Sequence, residues 1–121
     1  MKKVLIVEDD PDFRLTIKDL LIHEGMEIKC ANNGKTGLSI ALEEDFDLII
    51  ADIYMPDMDG IELLTKLKKE IPDQKIIVCS GGGSFSDVEP IMSSARYLGA
   101  DEVVSKPFEN EELLRLIKKI I

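Results

Sequence analysis

The chain has 121 residues, 45% of them hydrophobic and 32% charged, with a formal net charge of -9 at pH 7. That length buries a core without disulfide or metal staples, and predicts one domain spanning residues 1–121. A pI of about 4.6 argues against direct nucleic-acid binding, because an acidic surface repels phosphate backbones; cations and basic partner surfaces suit it.

The opening MKKVLIVEDD has two lysines but an apolar stretch too short for a secretory signal, and no run in the chain reaches membrane-spanning length. A cytoplasmic location without membrane contact is the expectation. VLIV (4–7) predicts the first strand, followed by Glu8, Asp9 and Asp10. Phe13, Ile17, Leu20 and Leu21 give a helical face, capped by Asp10 or Asp12 and closed by Gly25. The single histidine, His23, falls near that helix's C-terminus, where the dipole favours it.

EIKC (27–30) is the most polar strand run and suits a sheet edge. Asn33-Gly34 predicts a turn, and Leu38, Ala41 and Leu42 the second helical face. DLIIA (47–51) is the third strand and leads into Asp52. Asp57 and Gly60 read as turn and cap residues before a helix carrying Ile61, Leu64 and Leu67, which Pro72 stops. KIIVC (75–79) is the fourth strand, followed by Ser80 and three glycines. Ser86 and Glu89 read as a capping box, with Pro90 in the first turn of a helix whose face is Ile91, Ala95 and Leu98. Gly99 closes it, and Arg96 and Tyr97 belong to its outer side. DEVVS (101–105) is the fifth strand, then Ser105-Lys106-Pro107, and Leu113, Leu116, Ile117 and Ile120 line the last helix.

Five strand–helix units in succession predict an α/β fold: a parallel sheet with helices on both faces. Ligands of such sheets sit beyond the strands' carboxyl ends, where strand order reverses. Glu8, Asp9, Asp52, Ser80 and Lys106 all fall at those ends. Clustered carboxylates repel unless a cation neutralises them, and hard oxygen donors suit Mg²⁺. A carboxylate beside such a metal can attack phosphorus, with a lysine and a hydroxyl stabilising the transferred oxygens. Singly, each residue has a plainer reading: a helix-capping acid, a solvated lysine, a turn-forming serine. Their joint placement at four strand ends favours the site.

These residues resemble the receiver domains of two-component response regulators. VLIVEDD, DLIIADIYMPDMDG, IIVCSG and LGADEVVSKPF carry the resemblance across essentially the whole chain. It implies a flavodoxin-like (βα)5 three-layer sandwich with a five-stranded parallel sheet of order 2-1-3-4-5. It implies that Asp52 is the phosphoacceptor, taking a phosphoryl group from a phosphohistidine donor with Mg²⁺ bound. Asp9, Asp52 and the backbone carbonyl of Tyr54 would ligate the metal directly, and Glu8 largely through a bound water. Lys106 would pair with the phosphoryl group, aimed by Pro107, in many receivers a cis proline, while Ser80 would be the switch hydroxyl. The implied partners are a sensor histidine kinase or a histidine phosphotransfer protein, and an unknown output partner meeting the face made by the fourth helix, fifth strand and fifth helix. A homodimer is left open. The module would be a signalling protein that catalyses only its own phosphorylation and dephosphorylation, not an enzyme. With no output domain after the last helix, a stand-alone receiver and a piece of a longer regulator both fit.

Two positions depart from the receiver pattern. Val103 stands where a switch tyrosine or phenylalanine is usual, three residues before Lys106, and Gly81 replaces the usual alanine after Ser80. The glycines of SGGGSF therefore read as the hinge of a switch loop.

Other motifs fail. Gly34-Lys35-Thr36 ends like a P-loop, but Lys29 stands where its first glycine belongs. Aligning Gly60 with the EF-hand glycine puts Met55 and Lys66 where acids are needed. An aspartyl-phosphate hydrolase would carry a second aspartate at position 54, which is tyrosine, and a flavin carrier would not place acids after its first strand. Cys30 and Cys79 have no metal or redox spacing and read as small buried hydrophobes.

Overall fold

The computed structural model describes residues 1–81 and 85–121, apart from the side chains of 85–89. Five strands, β1 (Lys3–Val7), β2 (Glu27–Ala31), β3 (Leu48–Asp52), β4 (Ile76–Ser80) and β5 (Glu102–Ser105), form one parallel sheet of order β2-β1-β3-β4-β5. Helices α1 (Pro11–His23), α2 (Gly34–Glu43), α3 (Gly60–Glu70), α4 (Phe85–Tyr97) and α5 (Asn110–Ile120) connect and follow them, giving the expected (βα)5 three-layer arrangement.

Pleating sends alternate strand residues into two separate cores. Val4, Ile6, Leu48, Ile50, Ile77, Cys79 and Val104 meet Ile17 and Leu21 of α1 and Leu113 and Ile117 of α5. Leu5, Val7, Ile49, Ala51, Ile76, Val78 and Val103 meet residues of α2, α3 and α4, including Ala41, Leu63 and Ala95. β3 and β4 are buried at every position, whereas β2, the polar run, alternates and lies at an edge. Each fully buried leucine or isoleucine contributes about 1.5–3 kcal/mol by leaving water.

Local chemistry sets the helix ends. Asp10 caps α1, accepting from the amides of Asp12 (3.0 Å) and Phe13 (3.5 Å). Gly25 and Gly99 adopt left-handed φ of 84° and 108° just past α1 and α4, as their positions in sequence suggested.

Four readings change. Asn33-Gly34 is a helix start and not a turn: the Asn33 side chain accepts from Thr36 N at 2.8 Å and caps α2. Leu42 is exposed, because α2 turns Gly34, Gly37 and Ala41 inward, with Leu38 and Ile40 beside them. A Cβ on Gly37 would stand 2.7 Å from a Val7 methyl, so α2 lies close against β1 and its small residues must face in. Asp59, not Gly60, caps α3 by accepting from Glu62 N at 2.8 Å. Pro90 lies deeper in α4 than its first turn, because the helix begins at Phe85; the Ser86 and Glu89 side chains, read as a capping box, lie outside the described residues.

Candidate functional site

The order β2-β1-β3-β4-β5 reverses direction between β1 and β3, and the acids stand there. Glu8 follows β1 directly, and its amide donates to Ala31 O of β2 at 3.0 Å. Arg14 reaches back from α1 to the Glu8 carbonyl at 2.7 Å, while Glu8 Oε2 accepts from Asp10 N at 3.2 Å. Asp52 is the last residue of β3, opposite Cys79. Ser80 is the last residue of β4, and its carbonyl accepts from Lys106 N at 2.7 Å, so the lysine leaves β5 anchored to the same rim. The Lys106–Pro107 peptide is cis.

Behind Asp52 the chain turns through Ile53, whose amide donates to Cys79 O at 2.9 Å and whose carbonyl accepts from Gly60 N at 2.8 Å. A Cβ on Gly60 would stand 2.3 Å from Asp52 O and 2.7 Å from Ile53 Cα. The first turn of α3 therefore abuts the backbone that carries Asp52, and only glycine permits that approach. Asp57, in the intervening loop, takes a left-handed φ of 70°.

The predicted carboxylates converge. One oxygen from each of Glu8, Asp9 and Asp52 lies within 4.8 Å of the others. Glu8 and Asp52 are buried and Asp9 is exposed. Lys106 Nζ donates to Glu8 Oε1 at 2.8 Å and stands 3.3 Å from Asp52 Oδ1, an ion pair whose short hydrogen bond goes to Glu8. Asp52 Oδ1 and Ser80 Oγ are buried without a hydrogen-bond partner among the described residues. Phe13, Asp52, Tyr54, Gly81, Lys106 and Pro107 line a cavity of about 380 Å³ over this group, with Tyr54 exposed at its wall.

Burial, the largest influence, raises the Asp52 carboxyl above its ordinary pKa against the pull of Lys106, and the charge of Asp9 adds to the rise. Burial also raises Glu8, opposed by its hydrogen bond from Lys106. Burial alone would lower Lys106, but the Glu8 hydrogen bond and the charges of Asp52 and Glu8 outweigh it and the ammonium is held above its usual pKa. Two of the three clustered carboxylates thus share one ammonium, and a buried oxygen of Asp52 is left without a hydrogen bond among the described residues. Hard oxygen donors in that state fit a divalent cation of the Mg²⁺ kind.

Every site residue named from the sequence stands at this rim, and two contributors went unread there. Phe13 counted only as part of the apolar face of α1, yet its ring lies over Lys106 Nζ, 3.8 Å from the centroid. Its signal was its place in the first turn of a helix that starts beside Glu8 and Asp9. Gly81 counted as loop freedom; a Cβ there would lie 2.8 Å from Lys106 Cδ, so the glycine opens room for the lysine stem. Gly82, Gly83 and Ser84, the rest of the supposed hinge, lie outside the described residues. Cys79 is buried and its thiol pushed up to about 12 by that burial, in keeping with a hydrophobic role. His23 and Tyr97 are exposed, Tyr97 almost fully. No helix among the described residues is long and apolar enough to cross a membrane.

A doubly wound sheet bearing three carboxylates and a lysine at its switch point defines an α/β domain with an acidic rim site. Residues 4–118 match the response regulator receiver domain, and the chain belongs to that family, the signalling modules of two-component systems. It is 35% identical over 120 residues to the chemotaxis protein CheY of Bacillus subtilis, covering 98% of this chain and 97% of that one. It is 38% identical over 121 residues to the probable transcriptional regulator ycf29 of Pyropia yezoensis, covering 98% of this chain and 53% of that one. The chain spans about half the length of the curated regulators of that kind that it matches. Among solved structures, the response regulator TrrA from Thermotoga maritima in complex with Mg²⁺-BeF superposes with a TM-score of 0.88 at 35% identity, over 100% of both chains.

Proposed function

We propose that this receiver is the phosphoacceptor of a phosphorelay and that Asp52 takes the phosphoryl group. The observation that carries this is the buried Asp52 Oδ1, without a hydrogen-bond partner among the described residues, flooring a cavity beside a lysine and two further acids. In the reaction an Asp52 oxygen forms a bond to phosphorus as the P–N bond to a phosphohistidine breaks. The imidazole nitrogen keeps the electron pair of that bond and, with a proton already on the ring's other nitrogen, leaves as the neutral ring. The donor is a sensor histidine kinase or a histidine phosphotransfer protein.

Glu8, Asp9, Asp52 and the Tyr54 backbone carbonyl would hold Mg²⁺, which supplies positive charge against the phosphoryl oxygens when bound. Lys106, already 3.3 Å from Asp52, turns its ammonium from Glu8 toward a phosphoryl oxygen. Ser80 Oγ has no protein partner among the described residues to give up, and donates to another. Its movement biases the α4-β5-α5 face toward an output partner. Val103 lies in the same buried cluster as Ala95 of α4, so the change passes through aliphatic contacts and not through a rotating ring.

Incubation with phosphoramidate and Mg²⁺ is expected to add one phosphoryl group by intact mass. Asp52→Asn or EDTA should abolish it. An adduct that survives in Asp52→Asn overturns the assignment.

A further inference from the structure

Lys106 is held by its charged end. Its ammonium touches Glu8 and Asp52, and the Phe13 ring centroid lies 3.8 Å from Nζ, well inside the cation–π range of about 6 Å. That ring is fixed edge-on against Phe108, with centroids 5.7 Å apart and planes at 82°. Phe108 follows Lys106 by two residues, so the aromatic pair ties the first turn of α1 to the lysine's own loop. Near its root, the lysine stem occupies space that a side chain at Gly81 would claim, 2.8 Å from Cδ and 3.0 Å from Cβ.

We propose that Phe13 is a positioning residue for Lys106, its ring face holding the ammonium over the carboxylates so that it passes from Glu8 to a phosphoryl oxygen on Asp52 without being lost to water. An ammonium has three donors; one goes to Glu8 at 2.8 Å, and Asp52 draws the charge as an ion pair at 3.3 Å. The electron-rich ring face covers a further side, on which a lysine with a four-carbon stem would otherwise swing into solvent. The kinetic consequence rests on Asp52 being the phosphoacceptor; the geometry does not.

The test uses the full chain with Phe13→Leu, Phe13→Tyr, Lys106→Met and the double variant Phe13→Leu/Lys106→Met. Leucine keeps an apolar side chain and removes the π face. In the metal-free protein, the ring should move the Lys106 ε-methylene protons upfield in NMR spectra, an effect kept by tyrosine and lost in leucine. An ordinary lysine shift in the wild type overturns the proposal.

With phosphoramidate and saturating Mg²⁺, Phe13→Leu should slow phosphorylation by about 2- to 30-fold, the range of one cation–π contact. Phe13→Tyr should restore the rate, and leucine should have no effect in the Lys106→Met background. Leucine as fast as phenylalanine, or equal slowing with and without the lysine, overturns the proposal. Should the wild type take no phosphoryl group, the phosphoacceptor reading falls, and the lysine shift still decides whether Phe13 holds the ammonium.

Discussion

Replacing Asp52 with asparagine is expected to stabilise the folded chain even though it breaks an ion pair. With an effective dielectric of about 20, a like-charge pair at the 4.8 Å limit costs roughly 3.5 kcal/mol, so Glu8 and Asp9, both within it, together oppose the Asp52 charge by at least roughly 7 kcal/mol. The Lys106 pair at 3.3 Å returns roughly 5 kcal/mol. The remainder, about 2 kcal/mol, is unfavourable before burial is counted and is reduced by water at exposed Asp9. Asparagine keeps the volume without the charge, so a gain of about 1–3 kcal/mol is expected, near 4 °C of melting temperature per kcal/mol for a chain of this length.

The pH dependence has a definite sign. Because burial raises the Asp52 pKa, the folded chain binds that proton more tightly than the unfolded one. Its stabilising effect is complete below the unfolded pKa and lost as pH rises through the folded value, where asparagine loses nothing. Thermal unfolding in EDTA should therefore show the variant's advantage at pH 7, shrinking toward pH 4. Added Mg²⁺ should raise the melting temperature of the wild type more than that of the variant. An asparagine variant no more stable than the wild type at pH 7 would refute the charge balance.

Gly60→Ala is expected to destabilise by about 2–4 kcal/mol, because its Cβ would meet backbone, Asp52 O at 2.3 Å and Ile53 Cα at 2.7 Å, which cannot rotate away. A wild-type urea midpoint in that variant would show that α3 can back off the Asp52 turn at no cost. Lys106→Met leaves Glu8 and Asp52 buried without their cation and should cost about 3 kcal/mol at pH 8. The loss should be smaller at pH 5, where the two raised carboxyls take up protons more readily; equal losses at both would contradict the pairing.

Much of the fold was legible because apolar strand runs and helical faces alternate without interruption, and the polar run Glu27–Cys30 could only suit an edge. The rim residues were legible because strand ends in a parallel sheet share one side of the molecule, so Glu8, Asp52, Ser80 and Lys106 had to converge. Periodicity failed on α2, where close approach selects Gly34 and Gly37 for the inner face and a hydrophobic scale gives glycine no weight. It also hid Phe13 and Gly81, whose parts depend on where one flexible lysine lies, a contact of long sequence separation that no local pattern encodes.

The alternation that divides the interior has a mechanical consequence. Asp52 continues the series Leu48, Ile50 that faces α1 and α5, whereas Ser80 continues Ile76, Val78, which face α2, α3 and α4. The two half-cores share no buried side chain among the described residues. A tetrahedral anion bonded to Asp52 and hydrogen-bonded to Ser80 would reach across the carboxyl end of the sheet from one layer to the other. It would act as a clip, making two separately packed layers melt together where either could loosen first.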